Sequence, residues 1–171
     1  MTLVLMLCTG NAARSVMAGA ALAAVLPEVR VETAGTLAVD GLPMSWRTST
    51  ALASVGLSVP RHRSRQASHR DLAAADLVVG LAPEHVDWVR REHPGAAART
   101  GTLKRLARDL GTAPGSSLAA RVASLQLGQL DLEPWEEVVD PGGGEVEQFT
   151  ACAHEIAALV DTLAGALHRS A

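Results

Sequence analysis

Leu3-Val4-Leu5-Met6-Leu7-Cys8-Thr9-Gly10-Asn11-Ala12-Ala13-Arg14-Ser15 joins an apolar run to a short polar loop. An unbroken apolar run, Leu3 to Leu7, with β-branched Val4 inside it, suits a strand buried on both faces of a parallel sheet. From Val16 to Leu26 the residues are apolar and small, rich in Ala and Leu, and predict a helix. The order is therefore strand, loop, helix, with Cys8 and Arg14 bracketing the loop. A loop of that shape turns successive backbone N–H groups inward, and the helix N-terminus adds the positive end of its dipole. Both features favour an oxyanion. Arg14 contributes a planar fork that matches two phosphate oxygens. The same field favours Cys8 as thiolate, the nucleophilic form. The stretch reads as a site where sulfur attacks phosphorus or an analogous oxyanion centre.

The rest of the chain is consistent with one domain spanning 1–171. Its 171 residues are 48% hydrophobic, enough to fill one globular interior. Net charge is −3 and no basic stripe occurs, so nucleic acid is not an expected partner. Two cysteines do not make a disulfide framework, and a reducing cytoplasm is the expected compartment. Met1-Thr2 carries no basic region of a signal peptide, and no apolar run is long enough for a membrane span.

Further along, Val29 to Thr33 alternates apolar and polar residues and predicts a second strand. Leu37 to Pro43 is loop, Ser45 to Val55 a helix closed by Gly56, and Ser58 to Ser68 a basic loop. A short helix near His69 to Ala75 leads into a third strand, Asp76 to Leu81. Pro83 opens a helix to about Glu92, stopped by Pro94 and Gly95. Thr102 to Leu110 is open between helix, by the spacing of Leu103, Leu106 and Leu110, and a short strand at its start. Ser117 to Leu127 is compatible with a helix, and Pro134 to Gly144 is loop. The last helix, Glu145 to Leu167, places Phe149, Cys152, Ile156, Val160, Leu163 and Leu167 on one face. Strands alternating with helices predict a parallel α/β sheet with right-handed crossovers. Ligands of such sheets sit at the carboxyl ends of the strands, where Cys8 lies.

Cys8 to Ser15, a Cys-x5-Arg-Ser loop with Gly10-Asn11 inside it, resembles the signature of the low-molecular-weight protein tyrosine phosphatases. Glu32-Thr33-Ala34-Gly35-Thr36, His62-Arg63-Ser64-Arg65-Gln66, Ala75 to Val79 and Asp140-Pro141 are similar to further elements of that family, in the same order. The resemblance implies a small four-stranded parallel sheet with helices on both faces, Rossmann-like in class. It implies Cys8 as nucleophile and Arg14 as phosphate ligand, with Asp140 as general acid. Thr9, Gly10, Asn11, Ala12, Ala13 and Ser15 would form the phosphate-binding loop, with Ser15 donating to the sulfur. Ser15 also suits a plain N-cap. Thr33 and His62 match positions that brace Asn11. No cofactor or metal is implied. The partner would be a phosphorylated protein or a small phosphate ester.

The chain departs from the family pattern in three places. Ala13 stands where a second, protective cysteine often precedes the Arg. No Tyr exists, and Gly142-Gly143-Gly144 follow Asp140-Pro141 where aromatic residues often wall the pocket. The opposite wall offers Leu37, Val39 and Leu42, with Trp46 a candidate replacement. Cys152, on the apolar face of the last helix, reads as core. His69, His85, His93, His154 and His168 show no metal-ligand spacing and read as surface; Trp88 and Trp135 read as packing residues. The expected activity is cysteine-dependent hydrolysis of phosphotyrosine or small phosphate monoesters. An arsenate reductase on the same fold and a non-catalytic phosphate-binding regulator are the alternatives.

Overall fold

In the computed structural model, which describes residues 1–168, the first apolar run is the strand β1 (Leu3–Cys8). It is joined by β2 (Arg30–Gly35), β3 (Leu77–Gly80) and β4 (Thr100–Thr102). All pairings are parallel and the order is β2-β1-β3-β4. The expected four-stranded parallel sheet is therefore present. From β1 the chain adds β2 on one side and β3 then β4 on the other, so a crevice opens at the carboxyl end of β1.

Helices cover both faces. They are α1 (Arg14–Val25), α2 (Trp46–Ser54), α3 (His69–Ala74), α4 (Pro83–Glu92), α5 (Leu103–Asp109), α6 (Leu118–Ser124) and α7 (Val146–His168). The period of two along β1 sorts its side chains between the layers. Val4, Met6 and Cys8 enter the larger core with residues of α1, α2, α5 and α7. Leu5 and Leu7 enter a smaller core with Leu72 of α3 and Val89 of α4. The six residues expected on the inner face of α7 are all buried.

Several boundaries differ from the sequence reading for local reasons. β2 continues to Gly35, because Ala34 and Gly35 pair with Leu7 and Cys8. The ambiguous segment is both things in succession: Thr102 ends β4 and its side chain then accepts from Arg105 N–H, capping α5. Pro94 and Gly95 end α4, yet the chain continues as a 3-10 turn over Pro94–Arg99. Pro134–Glu136 is likewise a 3-10 turn inside the expected loop. Among the described residues no helix is long and apolar enough to cross a membrane.

Candidate active site

β1 delivers Cys8 to the crevice, and α1 begins at Arg14 behind it. Ala13 occupies the N-cap position and has no side chain able to cap, and the first turn contains no acid. The N–H groups that every helix leaves over at this end therefore face the loop. Ser15 is not the N-cap that its residue type suggested. It lies one residue inside the helix, buried, with Oγ 2.9 Å from Cys8 Sγ. Asn11 Nδ2 donates to that same Oγ at 3.0 Å, which leaves the Ser15 proton for the sulfur.

Asn11 is fully buried and adopts a left-handed backbone, φ +51°. Such a conformation costs on the order of 1–3 kcal/mol, less for Asn than for most residues. Four hydrogen bonds offset it, each worth roughly 1 kcal/mol net. Nδ2 donates to Ser15 and to Thr33 Oγ1 at 3.0 Å, Oδ1 accepts from Arg65 N–H at 3.0 Å, and the carbonyl accepts from His62 Nε2 at 2.7 Å. Thr33 and His62 thus converge on Asn11 from β2 and the basic loop. Thr48 of α2, buried and not singled out by the sequence, donates to Ala12 O at 3.2 Å. Gly35 permits the close approach of β2: a Cβ there would lie 2.4 Å from Thr9 O.

Arg14 is 2% exposed. Its Nη1 donates to Val138 O at 3.0 Å and its Nη2 to Asp140 Oδ2 at 3.2 Å. Glu84 Oε1 stands 4.0 Å from the same Nη2. Two carboxylates therefore answer a cation that would otherwise oppose the α1 dipole. Asp140 Oδ1 accepts from Gly142 N–H at 2.9 Å, and its side chain remains half exposed. Cys8, Gly10, Ala12, Arg14, Ser45 and Asp140 border a cavity of about 240 Å³. Trp46 is exposed, lies under the Arg47 guanidinium, and is not among the residues lining that cavity.

The surface reading of the histidines fails at His85, which is 1% exposed. Its Nδ1 accepts from Ala82 N–H at 3.0 Å, and its Nε2 lies 3.0 Å from Thr9 Oγ1. Burial, reinforced by the Arg14 charge and opposed by Asp140, pushes its pKa down to about 3. His93 is also half-buried, its ring against Trp88. The signal available for His85 was its position: the first turn of a Pro-initiated helix, just past the carboxyl end of β3. Cys152 is buried on α7, as expected of a core residue, and burial pushes its thiol up to about 12.

A family model for low molecular weight phosphotyrosine protein phosphatase matches residues 3–114. A protein-arginine-phosphatase of Geobacillus stearothermophilus is 30% identical over 162 residues, covering 94% of this chain and 93% of that protein. A probable low molecular weight protein-tyrosine-phosphatase, EpsP of Ralstonia nicotianae, is 29% identical over 136 residues, covering 77% and 92%. Among solved structures, the YwlE arginine phosphatase from G. stearothermophilus superposes with a TM-score of 0.78 at 29% identity, over 98% of this chain and 94% of that one. The low molecular weight protein tyrosine phosphatase from T. tengcongensis superposes with a TM-score of 0.75 at 26% identity, over 95% and 97%. Loop, sheet order and relatives agree, and the chain belongs to the low molecular weight phosphotyrosine protein phosphatase family of phosphoric monoester hydrolases.

Proposed function

We propose that this phosphatase acts on phosphorylated protein side chains, with phosphoarginine preferred over phosphotyrosine. Cys8 Sγ attacks phosphorus in line, forming the S–P bond as the bond to the leaving oxygen or nitrogen breaks. Arg14 and the loop amides hold the equatorial oxygens. Asp140 gives its proton to the leaving atom and, as carboxylate, then takes one from the water that hydrolyses phosphocysteine. Ser15 donates to the departing sulfur in that second step.

The observation that carries the substrate preference is the pair of carboxylates, Asp140 and Glu84, beside Arg14 at a mouth bordered by Gly142. A guanidinium leaving group meets opposite charge there, while a phenyl ring finds a single aromatic neighbour, the buried Phe149. The arginine phosphatase relative, aligned over nearly its whole length, supports the same reading. Arsenate reduction coupled to a second protein thiol is disfavoured, because Cys152 is buried in α7 with its thiol pushed up to about 12. Both cysteines are free, which suits a reducing cytoplasm. The test is a comparison of kcat/KM on a phosphoarginine-containing protein and a phosphotyrosine peptide. We expect phosphoarginine to lead by about tenfold or more, roughly 1.4 kcal/mol of transition-state binding. A lead for phosphotyrosine overturns the preference.

A further inference from the structure

We infer that His85 is a positioning residue of the phosphate-binding loop, an uncharged donor that fixes the Thr9 hydroxyl and with it the turn following the nucleophile. The inference rests on the reading of Cys8 as nucleophile, and not on the preference for phosphoarginine.

The direction of each bond follows from the donors available. Ala82 N–H can only donate, so the Nδ1 it reaches at 3.0 Å carries no proton. A neutral ring then holds its proton on Nε2, and that proton points at Thr9 Oγ1, 3.0 Å away. Thr9 is left with its own hydroxyl proton, and Glu84 Oε1 stands 3.5 Å off to accept it. A directed chain therefore runs from the α4 N-terminus through His85 and Thr9 to Glu84, which lies beside Arg14. Protonation of His85 would break its first link, because Nδ1 would become a second donor facing the Ala82 N–H. The low pKa keeps that from happening at ordinary pH. It also spares the phosphate site a second buried cation next to Arg14.

Thr9 is held from the other side as well. Its carbonyl accepts from Leu37 N–H at 3.0 Å. The residue after Cys8 is thus clamped through its backbone from the β2 side and through its side chain from the α4 side. Asn11, two residues on, is clamped by a separate set of partners. Any buried histidine needs its ring nitrogens satisfied; what sets His85 apart is that Nε2 finds its partner on the residue directly after Cys8.

The experiment compares Thr9→Ser, which keeps the hydroxyl, with Thr9→Val, which removes it, each in the wild-type and in a His85→Leu background. Hydrolysis of p-nitrophenyl phosphate is followed as kcat and KM separately, with Cys8→Ser run beside them. With His85 present, Thr9→Val should have a kcat about three- to tenfold below Thr9→Ser, with KM little changed, the scale of one neutral hydrogen bond. In the His85→Leu background the ratio should shrink towards one, because the hydroxyl then has no donor to receive and keeps only its long contact to Glu84 at 3.5 Å. The same ratio in both backgrounds overturns the inference, as does equality of the two Thr9 variants with His85 in place. If His85→Leu does not fold, the second criterion still decides, and His85→Gln, which retains an N–H, should preserve the difference. An active Cys8→Ser would overturn the nucleophile reading itself.

Discussion

The Arg14 guanidinium and the Asp140 carboxylate are ion-paired at 3.2 Å, although 126 residues separate them in sequence. Arg14 also holds Val138 O at 3.0 Å, so one buried side chain organises both the phosphate loop and the segment bearing the candidate acid. On the proposed mechanism a substrate phosphate would compete with Asp140 for the same Nη2. The candidate acid would then be held at the mouth before substrate arrives and freed towards the leaving group when phosphate takes its place.

Asp140→Asn should act according to leaving group. Nitrophenolate departs almost unaided, whereas phenoxide needs a proton. General acid catalysis is commonly worth roughly a hundred to ten thousand fold, and the loss should approach that range for phenyl phosphate while staying far smaller for p-nitrophenyl phosphate. Asn retains the Gly142 contact through its side-chain oxygen, so the turn is preserved. Equal losses on both esters would reduce Asp140 to a loop-shaping residue.

Arg14→Lys should cost more than its conserved charge suggests. One ammonium cannot span Val138 O and Asp140 while also gripping two phosphate oxygens. A drop in kcat on the order of a hundredfold is expected, by comparison with loss of a transition-state donor. A change of only a few fold would show that the guanidinium is not aimed at phosphate.

Peroxide should inactivate the enzyme with little recovery on reduction at high oxidant dose, because Ala13 offers no neighbouring thiol to trap the sulfenic acid. Cys152 does not replace it: its buried thiol, pushed up to about 12, is almost wholly protonated at neutral pH. Cys152→Ala should therefore leave the dose–inactivation curve unchanged. A variant markedly more sensitive than wild type would reveal a protective Cys8–Cys152 bond.

Acid should destabilise the fold through His85. Its folded-state pKa, about 3, lies below the ordinary value of 6.5, so between those limits the unfolded chain binds the proton and the native one does not. Stability then falls as pH drops through this window, by up to about 1.4 kcal/mol per unit. Urea midpoints measured at pH 7.5 and 5 should converge in His85→Gln relative to wild type. Unchanged pH dependence in that variant would mean the ring accepts a proton in place. Glu136 adds a lower window. Burial raises its pKa, but hydrogen bonds from Arg105 and Thr102 outweigh that and hold it below the ordinary value. Its contribution is present above the unfolded carboxylate range and is lost as pH falls through the folded value.

The strand, loop and helix around Cys8 were legible because an apolar run and a Cys-x5-Arg spacing are local signals. So was α7, whose buried face repeats at steps of three and four. The partners of Asn11 were legible only through family likeness, since nothing local joins Thr33 and His62 to residue 11. His85 was not legible: a polar residue in the first turn of an amphipathic helix looks exposed, and only the seating of α4 beside Thr9 buries it. Glu136 escaped for the same reason, because its partners Arg105 and Thr102 lie 31 and 34 residues away. In sequence each of the three resembles solvated surface.

The Glu136 cluster has a mechanical side. Glu136 is fully buried between Arg105 at 2.6 Å and Thr102 at 2.7 Å, and two residues later Val138 N–H is bonded to Leu81 O at 2.8 Å. The chain is moored at both points before it reaches Asp140, and α7 begins at Val146. Only a short span lies between, so the candidate acid sits on a tether whose anchor is set by β4 and α5. On the proposed mechanism, a change at Thr102, outside the lining of the Cys8 cavity, would loosen that anchor and shift the reach of Asp140 without touching Cys8.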